Sequence, residues 1–246
     1  MSVETREELL ALKEAGRIVR AALDAMSEAV APGITTAALD AIAEDLLTAE
    51  GARSAPRLVY GFPGTTCISV NDEVVHGIPS ERELVEGDLV TLDVTVEKDG
   101  FMADAAVTVP VGRTEPAVRA LLAAAQRALS RALAAAHAGA RLNEIGRAVS
   151  YSAHRDGFNV VRELSGHGIG RTIHEEPSVP NAPELADDTL LHDGLVITIE
   201  PILGAGGPEI VEGDDGWTIR TADGALAAHA EHTIVVTGGR PLVLTA

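Results

Sequence analysis

The chain has a single cysteine, Cys67, in 246 residues. No intramolecular disulfide can form, and a reducing compartment, the cytoplasm, is expected. Aromatic residues make up only 2%, so the core has to be built from Ala, Val, Leu and Ile, within a hydrophobic content of 46%. Basic residues are scarce: 19 Lys and Arg stand against 37 Asp and Glu, a formal charge of −18. That balance disfavours direct binding to nucleic acid or to an anionic membrane surface. No apolar run approaches the roughly 20 residues that span a bilayer, and the opening Met-Ser-Val-Glu-Thr-Arg has no apolar signal core. There is no P-loop lysine, no GxGxxG, and no Ser or Cys in a recognisable nucleophile setting. With acids in such excess, most carboxylates are merely solvated, and the functional ones must be found by context.

One stretch stands out, from Ser165 through Gly166-His167-Gly168-Ile169-Gly170 to His174-Glu175-Glu176-Pro177. Its three glycines let the backbone approach a bound group closely. Either histidine can ligate a metal or move a proton.

Upstream, Thr5 and Glu8 form a capping-box pattern before a periodic apolar run, which predicts a helix to about Val30, stopped by Pro32 and Gly33. A second helix runs from Thr36 to Gly51, residues 52 to 66 read as loop and strand, and Cys67–Val70 as a short strand. Leu89 to Val96 alternates, with Val90, Leu92, Val94 and Val96 on one face and Thr91, Asp93 and Thr95 on the other. Lys98-Asp99-Gly100 signals a hairpin, with Phe101 to Val109 returning. Helices follow at about 115–137 and 143–156. Val196–Pro201 is an apolar strand carrying Glu200, and His229–Val236 is a last strand carrying Glu231. Gly33 and Gly51, then Gly139 and Gly157, bracket helices at an offset of 106 residues, which suggests a duplicated plan of helices followed by a strand pair with two carboxylates.

A two-residue turn at Asp99-Gly100 places residue 95 opposite 104. Asp93 and Asp104 then share a face, one diagonal step apart; a three-residue loop would separate them. Either Asp alone reads more readily as part of a solvent-facing polar stripe with Thr91 and Thr95, and Glu231 alone as an outward charge on an edge strand. Taken together, four carboxylates centred in four apolar strands would repel one another if they converged bare. Two divalent cations would neutralise them. Four oxygen donors plus His167 suit manganese, iron or cobalt, with zinc also admissible. His76 and His174 each lie in a loop beside Gly or Glu, open either to a structural role or to substrate.

The blocks GFPGTTCISVNDEVVHGIP (61–79), LVTLDVTVEKDGFMADAAVTVPVG (89–112), SGHGIGRTIHEEP (165–177), TIEP (198–201) and EHTIVVT (231–237) resemble the type I methionine aminopeptidases among the pita-bread metallopeptidases. They occur in that family's order. The resemblance implies an α+β pita-bread fold: one catalytic domain, 1–246, of two pseudo-symmetric halves, about 1–112 and 113–246. An antiparallel sheet is covered by helices, with a dinuclear metal site at the centre. It implies metal ligands at Asp93, Asp104, His167, Glu200 and Glu231, with Asp93 bidentate on one ion, Asp104 and Glu231 bridging, and His167 and Glu200 completing the other. Glu200 becomes the proton carrier. His76 and His174 contact the scissile amide and carbonyl, and Phe62, Cys67, Ile173 and Trp217 line the methionine pocket. The implied cofactors are two divalent ions, Co, Mn, Fe or Zn. The implied partners are N-termini of peptides or nascent chains with a small second residue, with transient ribosome association and a monomeric state. Tyr60, Ile173, Ala227, His229 and Ala230 depart from the usual residues, which leaves room for a specialised paralogue. An Xaa-Pro peptidase of the same fold is the main alternative, against which the HEEP and EHT blocks speak.

Overall fold

The computed structural model describes residues 1–184 and 188–246. In the first half, α1 (Arg6–Ala29) starts where the Thr5 hydroxyl accepts from the Glu8 N–H and Glu8 reaches back to the Thr5 N–H, the expected capping box. Helix α2 (Thr36–Ala49) begins on the Thr35 hydroxyl. The strands of this half are β1 (Arg53–Ser54), β2 (Cys67–Val70), β3 (Glu73–Val75), β4 (Leu89–Lys98) and β5 (Phe101–Pro110), with α3 (Ala55–Tyr60) between β1 and β2. The second half holds α4 (Pro116–Ala135) and α5 (Asn143–Arg155). Its strands are β6 (Asn159–Val160), β7 (Ser165–Gly168), β8 (Glu175–Pro180), β9 (Val196–Ile199), β10 (Ile202–Gly204), β11 (Ile210–Glu212), β12 (Ile219–Thr221), β13 (Ala227–His229), β14 (His232–Val235) and β15 (Leu242–Val243).

The β4–β5 hairpin turns on Asp99 and Gly100, with φ of 50° and 82°. Positive φ at both central residues is the geometry that matches the twist of two-residue hairpins. Lys98 therefore pairs with Phe101 and Thr95 with Asp104. The hairpin's apolar face, with Val90, Leu92, Val94, Val96, Ala103 and Ala105, packs under α1 and α2 in one core. A second core joins Ala124, Ala128 and Ala132 of α4 and Val149 of α5 to Ile197, Ile199, Ala228 and Ile234. Small alanines let these helices sit close to the strands, which is how a chain this poor in aromatics fills its interior.

The structure revises three local expectations. Residues 55–60 form a helix rather than loop and strand, capped by the Ser54 hydroxyl and ended by Gly61 at φ 71°. The strand expected from His229 to Val236 is broken at Ala230 and Glu231, so that β13 and β14 belong to different sheets. Glu200 likewise lies at a junction, between β9 and β10, rather than inside a strand.

Those two junctions face each other. β9 pairs with β14 (Ile199 to His232) and β10 with β13 (Ile202 to His229). The register is the same on both sides of the break, so Glu200 falls opposite Glu231. β5 runs alongside: Val107 bridges Ala230, and the Glu231 N–H donates to Ala106 O over 2.9 Å. Two threonines sew this seam. The Asp104 N–H donates to Thr233 Oγ1, which donates in turn to Asp104 O. Thr108 Oγ1 makes the same double contact with the backbone of His229.

Candidate metal centre

Side chains alternate across a strand, so the face opposite each helix-covered core points to the seam. From β4 and β5 that face carries Asp93, Thr95 and Asp104. From the other half it carries Thr198, Glu200, Glu231 and Thr233. It is not the solvent-facing stripe the sequence also permitted: Thr91, Thr95, Asp104 and Glu231 are all buried. His167 enters from β7, its N–H donating to Thr198 Oγ1.

A pocket of about 550 Å³ opens over this face. Asp93, Asp104, His167, Glu200 and Glu231 all line it, and so do His76, His174, Phe62, Cys67, Ile173 and Trp217. The side chains expected as metal ligands, as substrate contacts and as the pocket lining thus all reach one cavity. Ligand atoms of Asp104, His167 and Glu231 lie within 4.8 Å of one another. His167 Nε2 stands 3.8 Å from Glu200 Oε2. The His167 Nδ1 lies 2.9 Å from Gly168 O, to which it donates in the tautomer that leaves the Nε2 lone pair facing the cluster.

Without ions the cluster is electrostatically unfavourable. Burial, then Asp104 and Glu200, push the Asp93 carboxyl well above its ordinary range. Burial, then Asp104, Glu200 and Asp93, do the same to Glu231. Burial raises Asp104 to about 6, and burial with the Asp104 charge raises Glu200 to about 8. Burial, then His174, lowers His167 to about 4, so its imidazole is a neutral donor at pH 7. Asp104 Oδ1 and Glu231 Oε1 are buried with no hydrogen-bond partner. Lone pairs left unsatisfied beside a neutral imidazole and crowded carboxylates fit divalent cations, which supply both the missing partner and the missing charge.

The rim and the far wall differ in character. His174 is exposed, its Nδ1 2.5 Å from the Tyr60 hydroxyl, and its ring lies edge-on to His167 at 4.2 Å. His76 follows β3 in a left-handed conformation, φ 59°. Phe62 and Trp217 meet edge to face at 5.2 Å, beside buried Cys67 and Ile173, forming an apolar wall. Asp40 of α2 holds the loop that carries Phe62 and Cys67, accepting from the Thr65 and Thr66 N–H groups and the Thr66 hydroxyl. Sequence reasoning assigned nothing to Asp40, Thr198 or Thr233. Their signal is a polar residue at a core-facing position, visible only once the tertiary neighbours are known.

Known proteins share this arrangement of chain. Methionine aminopeptidase 2 of Bacillus subtilis is 44% identical over 247 residues, covering 100% of this chain and 99% of its own. The methionine aminopeptidase of Clostridium perfringens is 39% identical over 243 residues, covering 99% and 98%. The crystal structure of the methionine aminopeptidase from Thermotoga maritima superposes with a TM-score of 0.96 at 34% identity, covering 100% of this chain and 99% of that one. Prolidase from Pyrococcus furiosus, at 24% identity and a TM-score of 0.80, shares the fold over 99% of this chain and 65% of its own. The helix-backed antiparallel strands are therefore the pita-bread fold. Residues 11–238 match metallopeptidase family M24, and with full-length relatives this similar the chain belongs to that family.

Proposed function

We propose that this protein is a methionine aminopeptidase: it removes N-terminal methionine from peptides and nascent chains whose second residue is small. It works as one catalytic domain of two pseudo-symmetric halves, about 1–112 and 113–246, on nascent and free N-termini in the cytoplasm. The observation that supports this reading is one pocket lined both by Asp93, Asp104, His167, Glu200 and Glu231 and by the apolar wall of Phe62, Cys67, Ile173 and Trp217.

Asp93, Asp104, His167, Glu200 and Glu231 would hold two divalent ions of the Co, Mn, Fe or Zn type. When bound, such ions supply Lewis acidity toward the peptide carbonyl and toward water. Glu200 carries the proton from attacking water to the leaving amine. Its carboxylate is held for this by the Thr198 hydroxyl, which donates to Oε2 over 2.9 Å. His174 binds the carbonyl oxygen. With the Tyr60 hydroxyl as donor to Nδ1, the neutral ring carries its hydrogen on Nε2, the tautomer that can donate to the developing oxyanion. Partial desolvation at the pocket rim lowers the His174 pKa, which keeps the ring neutral. His76, which lines the same pocket, orients the scissile amide. The thioether of the substrate packs on the edges and faces of Phe62 and Trp217, a contact favoured by its polarisable sulfur.

Assaying Met-Ala-Ser beside an Xaa-Pro peptide tests the reading. Methionine release from the first and no cleavage of the second is expected. Preferential Xaa-Pro cleavage would replace this function with that of a prolidase-type enzyme.

A further inference from the structure

We propose that His229 is a sixth metal-ligating side chain, its Nε2 joining Glu231 on the ion held at the Asp93 side. The proposal rests on the two-ion reading above. His229 precedes Glu231 by two residues and points to the same face. Cross-strand pairing sets Glu231 beside Ala106 and Asp93, and His229 one step further along, beside Thr108 and Thr91. That is the Asp93 side of the cluster, away from His167.

The ring is 3% exposed and lines the pocket. Neither nitrogen has a hydrogen-bond partner, and no other histidine among the described residues has both ring nitrogens buried in that way. A buried imidazole with nothing to bond is costly, so a partner is to be expected in the working protein.

Distances point to what that partner is. His229 Nε2 lies 3.6 Å from Glu231 Oε2, too far for a direct hydrogen bond. The His167–Glu200 pair shows nearly the same separation, 3.8 Å. Metal–nitrogen and metal–oxygen bonds of about 2.0–2.2 Å put two donors on one ion roughly 3–3.5 Å apart. Both imidazole–carboxylate pairs therefore reach a shared ion with a small side-chain adjustment. Each ion would then have one nitrogen donor. A second imidazole shifts the Asp93-side site from an all-oxygen set, suited to manganese, toward cobalt, iron or zinc.

The test uses the full-length protein stripped of metal and titrated with Co(II), read by calorimetry and by proton NMR of the paramagnetic complex. Wild type is expected to take up two equivalents and to show two solvent-exchangeable, strongly shifted imidazole N–H resonances. His229→Gln should keep the first-ion affinity, lose one of those resonances, and bind the second ion about 10- to 100-fold more weakly. Two equivalents with a single imidazole resonance in wild type would overturn the role of His229, as would an unchanged spectrum in the variant. The wild-type count decides even if the variant does not fold. Uptake of one equivalent or none would instead bring down the two-ion reading, and this proposal with it.

Discussion

At the scale of single residues, the site separates side chains that hold charge from side chains that aim a partner. Asp104 and Glu231 hold charge, and both carry a buried oxygen with no partner. Asp104→Ala or Glu231→Ala should abolish methionine release while leaving the metal-free fold intact, because each removes one member of a repelling cluster. Turnover and circular dichroism measured together check this, and substantial turnover in either variant would show that its carboxylate is not needed to hold the ions. Tyr60 aims His174. Tyr60→Phe should lower kcat with KM little changed, by about 5- to 10-fold for one lost hydrogen bond to a ring needed in one tautomer. An unchanged kcat would mean that the contact does not orient the ring. Tyr60 was legible only as a departure from the family pattern; its contact with His174 spans 114 residues of sequence and comes from the fold.

At the scale of elements, the seam between β5 and the β13–β14 segment decides whether the two pairs of carboxylates meet. Thr233, fully buried, both accepts from and donates to the backbone of Asp104. Thr233→Val keeps the shape and leaves that N–H and C=O unpaired in the interior. It should cost about 1–3 kcal/mol in denaturant unfolding. A loss of a few tenths would mean that the clip is not needed. The hairpin behind Asp93 and Asp104 was readable from Asp99-Gly100, because a two-residue turn fixes register by local chemistry alone. The break at Ala230-Glu231 was not readable, since its cause is pairing with β5 and a change of sheet, both long-range. Helix α3 escaped notice for another reason: six residues with Pro56 near the start are too short to show a helical period.

At the scale of the molecule, two helix-backed cores are joined by a polar seam that repels itself when bare. The consequence shows in the pH dependence of the metal-free protein. Glu200 titrates at about 8 in the folded chain against 4.5 unperturbed, so the folded state binds more protons than the unfolded state between those values. A raised folded pKa gives stability that is lost as pH rises through it. Below about pH 7.5 the histidines oppose this trend: desolvation lowers His167 and His232 to about 4, His229 to about 3, and His76 and His174 as well, so all stay neutral in the fold while they take up protons when unfolded. From about pH 7.5 to 8.5 the carboxylate effect dominates, because unfolded histidines are then mostly neutral too. The melting temperature of metal-free protein should fall across that interval, and divalent-metal affinity should rise across it as ions displace protons. Thermal melts and calorimetric titrations at the two pH values check both. A melting temperature that rises with pH would show that the carboxylates do not converge in solution as they do in the fold.

The most direct measurement follows methionine release from Met-Ala-Ser by one preparation, first stripped with a chelator and then restored with Co(II) or Mn(II). Turnover should vanish on stripping and return as the second equivalent of metal is added. Undiminished turnover by the stripped protein, or none after metal is restored, would contradict the claim that this gathering of acids exists to hold catalytic cations.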